Sequence, residues 1–403
     1  MKFIDKNKTT IFLLSILGVL ATDSFAPLIQ KIGQSYPGVS EPLVKQLITL
    51  PSTISMIVGL IAGQLVRFFS KRGIIITGLV LFTIGGIGAF WIPNFGVHVA
   101  LRCILGAGIG LVTPLSLSLI GDFFVGDERA SMIGGSLAFS KIFAIMVPPV
   151  AALLAAKNWQ NVYFMYFVSV GILIYILLTL KSPKKAVEGE EIEKPKSKIP
   201  SVTFLLALGQ FALLAIYFVL VTDLSYMTGT KSGASPILSG FGLSMATIGT
   251  FLAGLTFSKL YGMIKNWVIP TSFIVMGGGF LIVTHSTETI VILLGLMFAG
   301  FGVGILMSLV NLITTNAVGE ADSTASMSLV TCATSLGVFA SPFFYNWNPA
   351  RFANMSVVES NFQTAGLLYI LLGIVSLVLV AYQLMRKLRK TGQEKPALQG
   401  EVE

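Results

Sequence analysis

Apolar residues fill this chain in long runs, near 9 to 31, 43 to 66, 73 to 92, 96 to 121, 131 to 156, 159 to 181, 200 to 228, 236 to 261, 265 to 285, 288 to 316, 323 to 345 and 362 to 387. Polar residues collect in the short gaps between them. A helix that crosses a bilayer needs about 20 mainly apolar residues, so the pattern predicts twelve spanning helices, six in each half. The runs are too long and too evenly apolar for the alternating strands of a membrane barrel, and only helices and closed barrels satisfy their backbone in hydrocarbon. The expected fold is all-α and integral to the membrane. Lys2, Lys6 and Lys8 precede the first run, and SFA stands at 24 to 26, which is the outline of a secretory signal. Asp23 inside that run, Pro27 just beyond it and the six-plus-six count favour a spanning helix instead.

The two halves echo each other. GAGIG at 106 to 110 returns as GFGVG at 300 to 304, an offset of 194 that keeps three glycines in register. VGDE at 125 to 128 with ASM at 130 to 132 returns as VGEA at 318 to 321 with ASM at 325 to 327. Pro148 answers to Pro342, and Ala62-Gly63 to Ala253-Gly254. Such self-similarity marks a duplicated architecture. The expected organisation is a six-helix bundle over 1–180, a linker over 181–200, a second bundle over 201–390 and a tail over 391–403. The linker KSPKKAVEGEEIEKPKSKIP has the mixed charge and prolines of a solvated connector.

Composition agrees: 54% hydrophobic residues, 11% charged and a mean hydropathy of +0.84 lie far from the soluble norm of about 25% charged. The net charge of +9 calls for no nucleic-acid partner, because the basic residues sort by topology. With both termini on the cytoplasmic side of the cell membrane, 20 of the 27 Lys and Arg fall in cytoplasmic segments. Five fall outside: Lys31, Lys45, Lys157, Lys231 and Arg351. Arg102 and Lys141 lie within helices. No loop is large enough for an appended domain, and no GxxxxGK[ST] phosphate loop is present, which argues against a pump driven by its own ATP hydrolysis. Cys103, Cys332, His98 and His285 form no ligand spacing, and no catalytic cluster is visible, so neither a metal, a cofactor nor an enzyme is expected.

Several short motifs resemble those of the major facilitator superfamily, and within it the twelve-helix drug:proton antiporter group of the Bcr/CflA and EmrD type. ATDSFAP at 21 to 27 is similar to the first-helix motif, with Asp23 and Pro27 in place. GQLVRFFSKRG at 63 to 73 matches the loop motif at Gly63, Leu65, Lys71 and Arg72, but Arg67 stands where the motif has an acid and Ser70 where it has glycine. Arg102 with Gly106 resembles the helix-four motif tied to proton coupling. DFFVGDERA resembles the following loop at Asp122 and Arg129. VPPVAA at 147 to 152 keeps Pro148 of the antiporter motif and lacks its glycines. The resemblance implies gating roles for Gly63, Arg67, Lys71, Arg72, Asp122, Arg129, Pro148 and Pro342, and the Arg67 departure puts the standard cytoplasmic latch in question.

In transporters built from repeats, substrate binds near the midplane between the halves, and an ionisable residue inside the membrane is a functional candidate by default. Asp23 lies eight residues from Lys31, roughly 12 Å deep at 1.5 Å per residue, where a carboxyl can take up and release a proton during transport. Asp223 repeats its Thr-Asp pair in helix seven, nearer the mouth. Arg102 and Lys141 are the cations to set against these acids, with an ion pair to Asp23 expected of either. Phe25 and Tyr217 are aromatic candidates for a cavity wall. Trp91 and Trp159 fit interfacial anchors. The reading is a monomeric transporter of small amphipathic molecules, coupled to protons and exporting them. Uptake of an organic anion with protons is the alternative, favoured by Lys141 and Arg102, and a membrane sensor or enzyme on the same fold is the alternative from another class.

Overall fold

Helix formation follows from the solvent: in hydrocarbon each backbone N–H and C=O must bond within its own segment. A computed structural model describes residues 6–66, 68–180, 200–231, 236–316, 320–347, 352 and 354–394. Arg67, the linker from 181 to 199, part of the second VGEA loop and the tail from 395 lie outside the described residues. The described chain is helical throughout: α1 (Lys6–Ser15), α2 (Leu17–Asp23), α3 (Ile29–Ser35), α4 (Glu41–Leu65), α5 (Lys71–Ile87), α6 (Phe95–Phe123), α7 (Gly126–Leu154) and α8 (Phe167–Thr179) come first. After the linker come α9 (Ser201–Tyr217), α10 (Val219–Lys231), α11 (Pro236–Ile264), α12 (Val268–His285), α13 (Thr289–Asn316), α14 (Glu320–Trp347) and α15 (Val357–Glu394).

Among the described residues, eleven stretches are long and apolar enough to cross a bilayer. One of them, Pro236–His285, has 50 residues. At 1.5 Å per residue it would be about 75 Å long, against a hydrocarbon core of about 30 Å. The short turn Lys265–Trp267, with Lys265 at φ 43, folds it into α11 and α12. The protein is thus a membrane bundle of about twelve spans. The first apolar run is not one helix. Pro27 removes a backbone donor, and the segment steps through α2, a tight turn at Ala26–Leu28 and α3. Large side chains such as Leu205, Leu208, Leu371 and Val378 point outward, where lipid rather than water receives them.

The glycine echo becomes a packing rule. A Cβ on Gly106 or Gly110 would meet the backbone of α4, whereas one on Gly108 would meet that of α5. The second half repeats this: Gly300 and Gly304 face α11 and Gly302 faces α12. Alternate glycines on α6 and α13 therefore admit one neighbour on each side, and the absence of side chains brings backbones together. Ala62 and Ala253 are both fully buried, and Gly63 and Gly254 beside them both face open space.

Gly300→Val would drive a side chain into the Ala246 carbonyl, an overpacking expected to cost about 1–3 kcal/mol and to lower the melting temperature of the detergent-solubilised protein. Gly254→Ala, with nothing within 4 Å, should stay within about 0.5 kcal/mol of the parent. Equal melting curves for the two would rule out the close helix approach.

Candidate functional site

Asp23 ends α2 just before the Pro27 break, and Lys141 sits midway along α7. The two side chains share the walls of two adjoining chambers. The larger, about 380 Å³, is lined by α1, α2, α6 and α7 and carries the hydroxyls of Ser15, Thr22, Thr113, Ser116, Ser136 and Ser140. The smaller, about 220 Å³, lies between α2 and α7 on one side and α9, α10 and α11 on the other, with Tyr217 and Pro148 on its wall. Thr22 donates to Asp23 Oδ1 at 2.9 Å, and Lys141 acts on the carboxylate through space. Neither forms an ion pair within 4.0 Å among the described residues. They face shared open space instead.

Arg102 does not join them. Its guanidinium donates to the Ala21 carbonyl at 2.7 Å and to Tyr166 Oη at 3.1 Å, and it stacks 3.3 Å from the centre of the Phe25 ring. Tyr166 in turn donates to Leu20 O and bonds Ser24. The expected Asp23–Arg102 ion pair is therefore absent: a buried guanidinium has five donors to satisfy, and the carbonyl beside the Pro27 break and an aromatic face satisfy part of that need. Phe25 is buried beneath Arg102 and does not line either chamber, contrary to expectation. Trp159 is also buried, donating to Ser35, whereas Trp91 is exposed as an interfacial anchor would be.

Asp223 stands elsewhere. Thr222 donates to its Oδ1 at 3.1 Å, repeating the Thr22–Asp23 bond, but Asp223 is 1% exposed and held by Lys45 Nζ at 2.5 Å and by Asn361 Nδ2 at 3.0 Å. Lys45 also reaches Glu41 at 2.5 Å. Lys45, expected on the outer surface, is thus buried in a charge cluster that joins the first half of the chain to the second. The sequence carried a signal for it, since Glu41 and Lys45 are four residues apart at the head of an apolar run. Nearby bonds across the halves run from Ser225 and Ser239 to the Pro27 carbonyl, from Gln46 to Phe339 O and from Ser244 to Ile145 O. These contacts close the end of the bundle opposite the N-terminus, and the larger chamber lies on the N-terminal side of them.

At that N-terminal end, Lys71 donates to Asp122 at 2.6 and 2.8 Å and to Ser118 at 2.8 Å. Arg72 donates to Leu177 O, and Arg129 is exposed beside Gly121. Lys71 and Asp122, two residues of the loop motifs, are thus brought together within the first half. Pro148 and Pro342 are buried inside α7 and α14, and the Pro148 carbonyl would meet a Cβ on Gly240.

The sequence profile of the Major Facilitator Superfamily matches residues 11–342. The chain belongs to the Major Facilitator Superfamily. It is accordingly a multi-pass membrane protein of that family. Its fold is similar to that of a bacterial homologue of the human lysosomal transporter Spinster in an inward-facing, unoccupied conformation, with a TM-score of 0.73 at 14% identity over 92% of this chain and 94% of that one. In sequence it is 26% identical over 179 residues to a probable transporter, AQR1, of Saccharomyces cerevisiae, covering 44% of this chain and 30% of that protein. It is 29% identical over 150 residues to the multidrug transporter AQR1 of Candida glabrata, covering 36% and 25%. These matches span less than a third of either yeast relative.

Lys45→Met would leave Asp223 buried without its cation, which is expected to cost about 3–5 kcal/mol. Combining it with Asp223→Leu should recover most of that loss, as read by thermal unfolding. A double variant no better than the single would show that the pair is not coupled.

Proposed function

We propose that this chain is a proton-coupled secondary transporter that moves small amphipathic molecules across the cytoplasmic membrane by alternating access, exporting them in exchange for protons. One observation carries this reading: Asp23 and Lys141 are the charged side chains on the walls of both chambers, at their junction. The bundles 1–180 and 201–390 rock about this point as a monomer, with the segment 181–200 joining them. The distribution of Lys and Arg supports cytoplasmic termini, so the chambers face the cytoplasm in this conformation. Asp23 carries the proton. The Lys45–Asp223 cluster parts when the opposite end opens. Gly63, Arg67, Lys71, Arg72, Asp122, Arg129, Pro148 and Pro342 serve the movement, and Arg102 positions the backbone that leads to Asp23.

Export is supported by the name of the Candida glabrata relative, a multidrug transporter, and by the resemblance of ATDSFAP to the drug:proton antiporter motif. A second reading, uptake of an organic anion with protons, is favoured by Lys141, whose ammonium has no ion-pair partner within 4.0 Å among the described residues. In proteoliposomes with an imposed pH gradient, Asp23→Asn is expected to lower gradient-driven flux by about 100-fold. Flux that survives this substitution undiminished assigns the proton to another residue, and the sign of the flux in the parent protein decides between export and uptake.

A further inference from the structure

The polar groups of the larger chamber differ in what they leave free for a ligand. Ser15 and Ser136 already donate to carbonyls of their own helices, at Phe12 and Ile133, and Thr22 donates to Asp23. The Lys141 ammonium and the hydroxyls of Thr113, Ser116 and Ser140 line the same wall and add donors to it, whereas Asp23 is the one carboxylate among the lining residues. Around this donor patch the wall is apolar, with Leu14, Val19, Leu117 and Leu137, and the adjoining chamber adds Tyr217, Phe218 and Leu243. An ammonium without an ion-pair partner within 4.0 Å among the described residues, flanked by hydroxyls in an otherwise apolar chamber, matches a carboxylate, which only accepts hydrogen bonds and binds most strongly where a cation donates to it.

We infer that Lys141 and the neighbouring hydroxyls dock the carboxylate of an amphipathic small-molecule substrate, and that this anion loads together with a proton on Asp23. The inference rests on reading these chambers as the transport site and on the second reading above, uptake of an organic anion with protons, since an anion and a proton that load together cannot be exchanged for one another. Charge balance supplies the coupling. Empty, the site holds one carboxylate and one ammonium. A bound anion adds a second negative charge beside Asp23 in surroundings of low polarity, and one proton on Asp23 restores neutrality. Oδ1 is engaged by Thr22, which leaves Oδ2 for that proton. Lys141 thereby changes partner, from the Asp23 carboxylate to the substrate's.

The other titratable groups around the pair leave this exchange undisturbed. α9 contributes Tyr217 to the walls, and α10 and α11 contribute no charged lining residue. On α6, Arg102 is turned to Ala21 O and Tyr166, and His98 is bonded to Ile92 O and Tyr163. On α4, Lys45 and Glu41 are engaged with each other and with Asp223.

Calorimetric titration of the purified full chain with 4-phenylbutyrate and with 4-phenylbutylammonium tests this. The carboxylate should bind at least about tenfold more tightly than the ammonium. Its affinity should rise as pH falls, by up to about tenfold per unit, with one proton taken up per anion. Lys141→Gln should abolish the preference for the carboxylate, Lys141→Arg should restore it, and Asp23→Asn should remove the pH dependence. Tighter binding of the ammonium, an unchanged preference in Lys141→Gln, or pH-independent binding by the parent protein would overturn the inference. So would failure of the carboxylate to bind a protein that still drives gradient-dependent flux of other compounds. Gradient-driven flux of a cationic dye that persists in Lys141→Gln would overturn the anion site and leave the transporter reading standing. Absence of any gradient-driven flux by the parent protein would overturn the transporter reading itself.

Discussion

Hydrocarbon cannot solvate a charge, and that constraint organises this protein. An ionised side chain at the centre of a spanning helix costs about 2.5–3.5 kcal/mol even on lenient scales. Each buried charge must therefore find an opposite charge, a set of dipoles or water. The described residues contain an example of each solution. Lys45 and Asp223 neutralise each other across the two halves of the chain. Arg102 is held by a carbonyl, a tyrosine hydroxyl and an aromatic face. Asp23 and Lys141 share an open chamber. The first solution joins the halves, the second braces the broken first span, and the third provides a site that something else can enter.

The two Thr-Asp pairs show how duplication and function part company. Both aspartates accept from the preceding threonine, so local structure is conserved between the repeats. Lys45 on α4 then occupies the space before Asp223, and Asn361 on α15 takes its other oxygen. Asp23 meets a cavity instead. The same local motif closes one end of the bundle in one half and opens on a chamber in the other, because the neighbours supplied by the rest of the fold differ.

The all-helical membrane fold was legible because lipid allows so few alternatives: apolar runs of spanning length have to become helices. The glycine echo was legible as packing because only glycine lets α6 and α13 lie against two neighbours at once. Asp23 and Lys141 were legible as scarce charges within apolar runs, and they do share a chamber. Arg102 was legible as important and misread as to its partner, since spacing along the chain carries no record of the Ala21 carbonyl or the Tyr166 hydroxyl. Lys45 was misread altogether. Its distance from Glu41 is a local signal, but its main partner is Asp223, 178 positions away.

The sequence by itself determined the solvent, the spans, the internal duplication and the short inventory of charges inside the membrane, because each is a matter of composition and short-range period. Which of those charges pair, which are braced and which are left facing a cavity was decided only by tertiary structure. Desolvation acts on the three-dimensional neighbourhood of a group, and that neighbourhood is assembled from helices far apart in the chain.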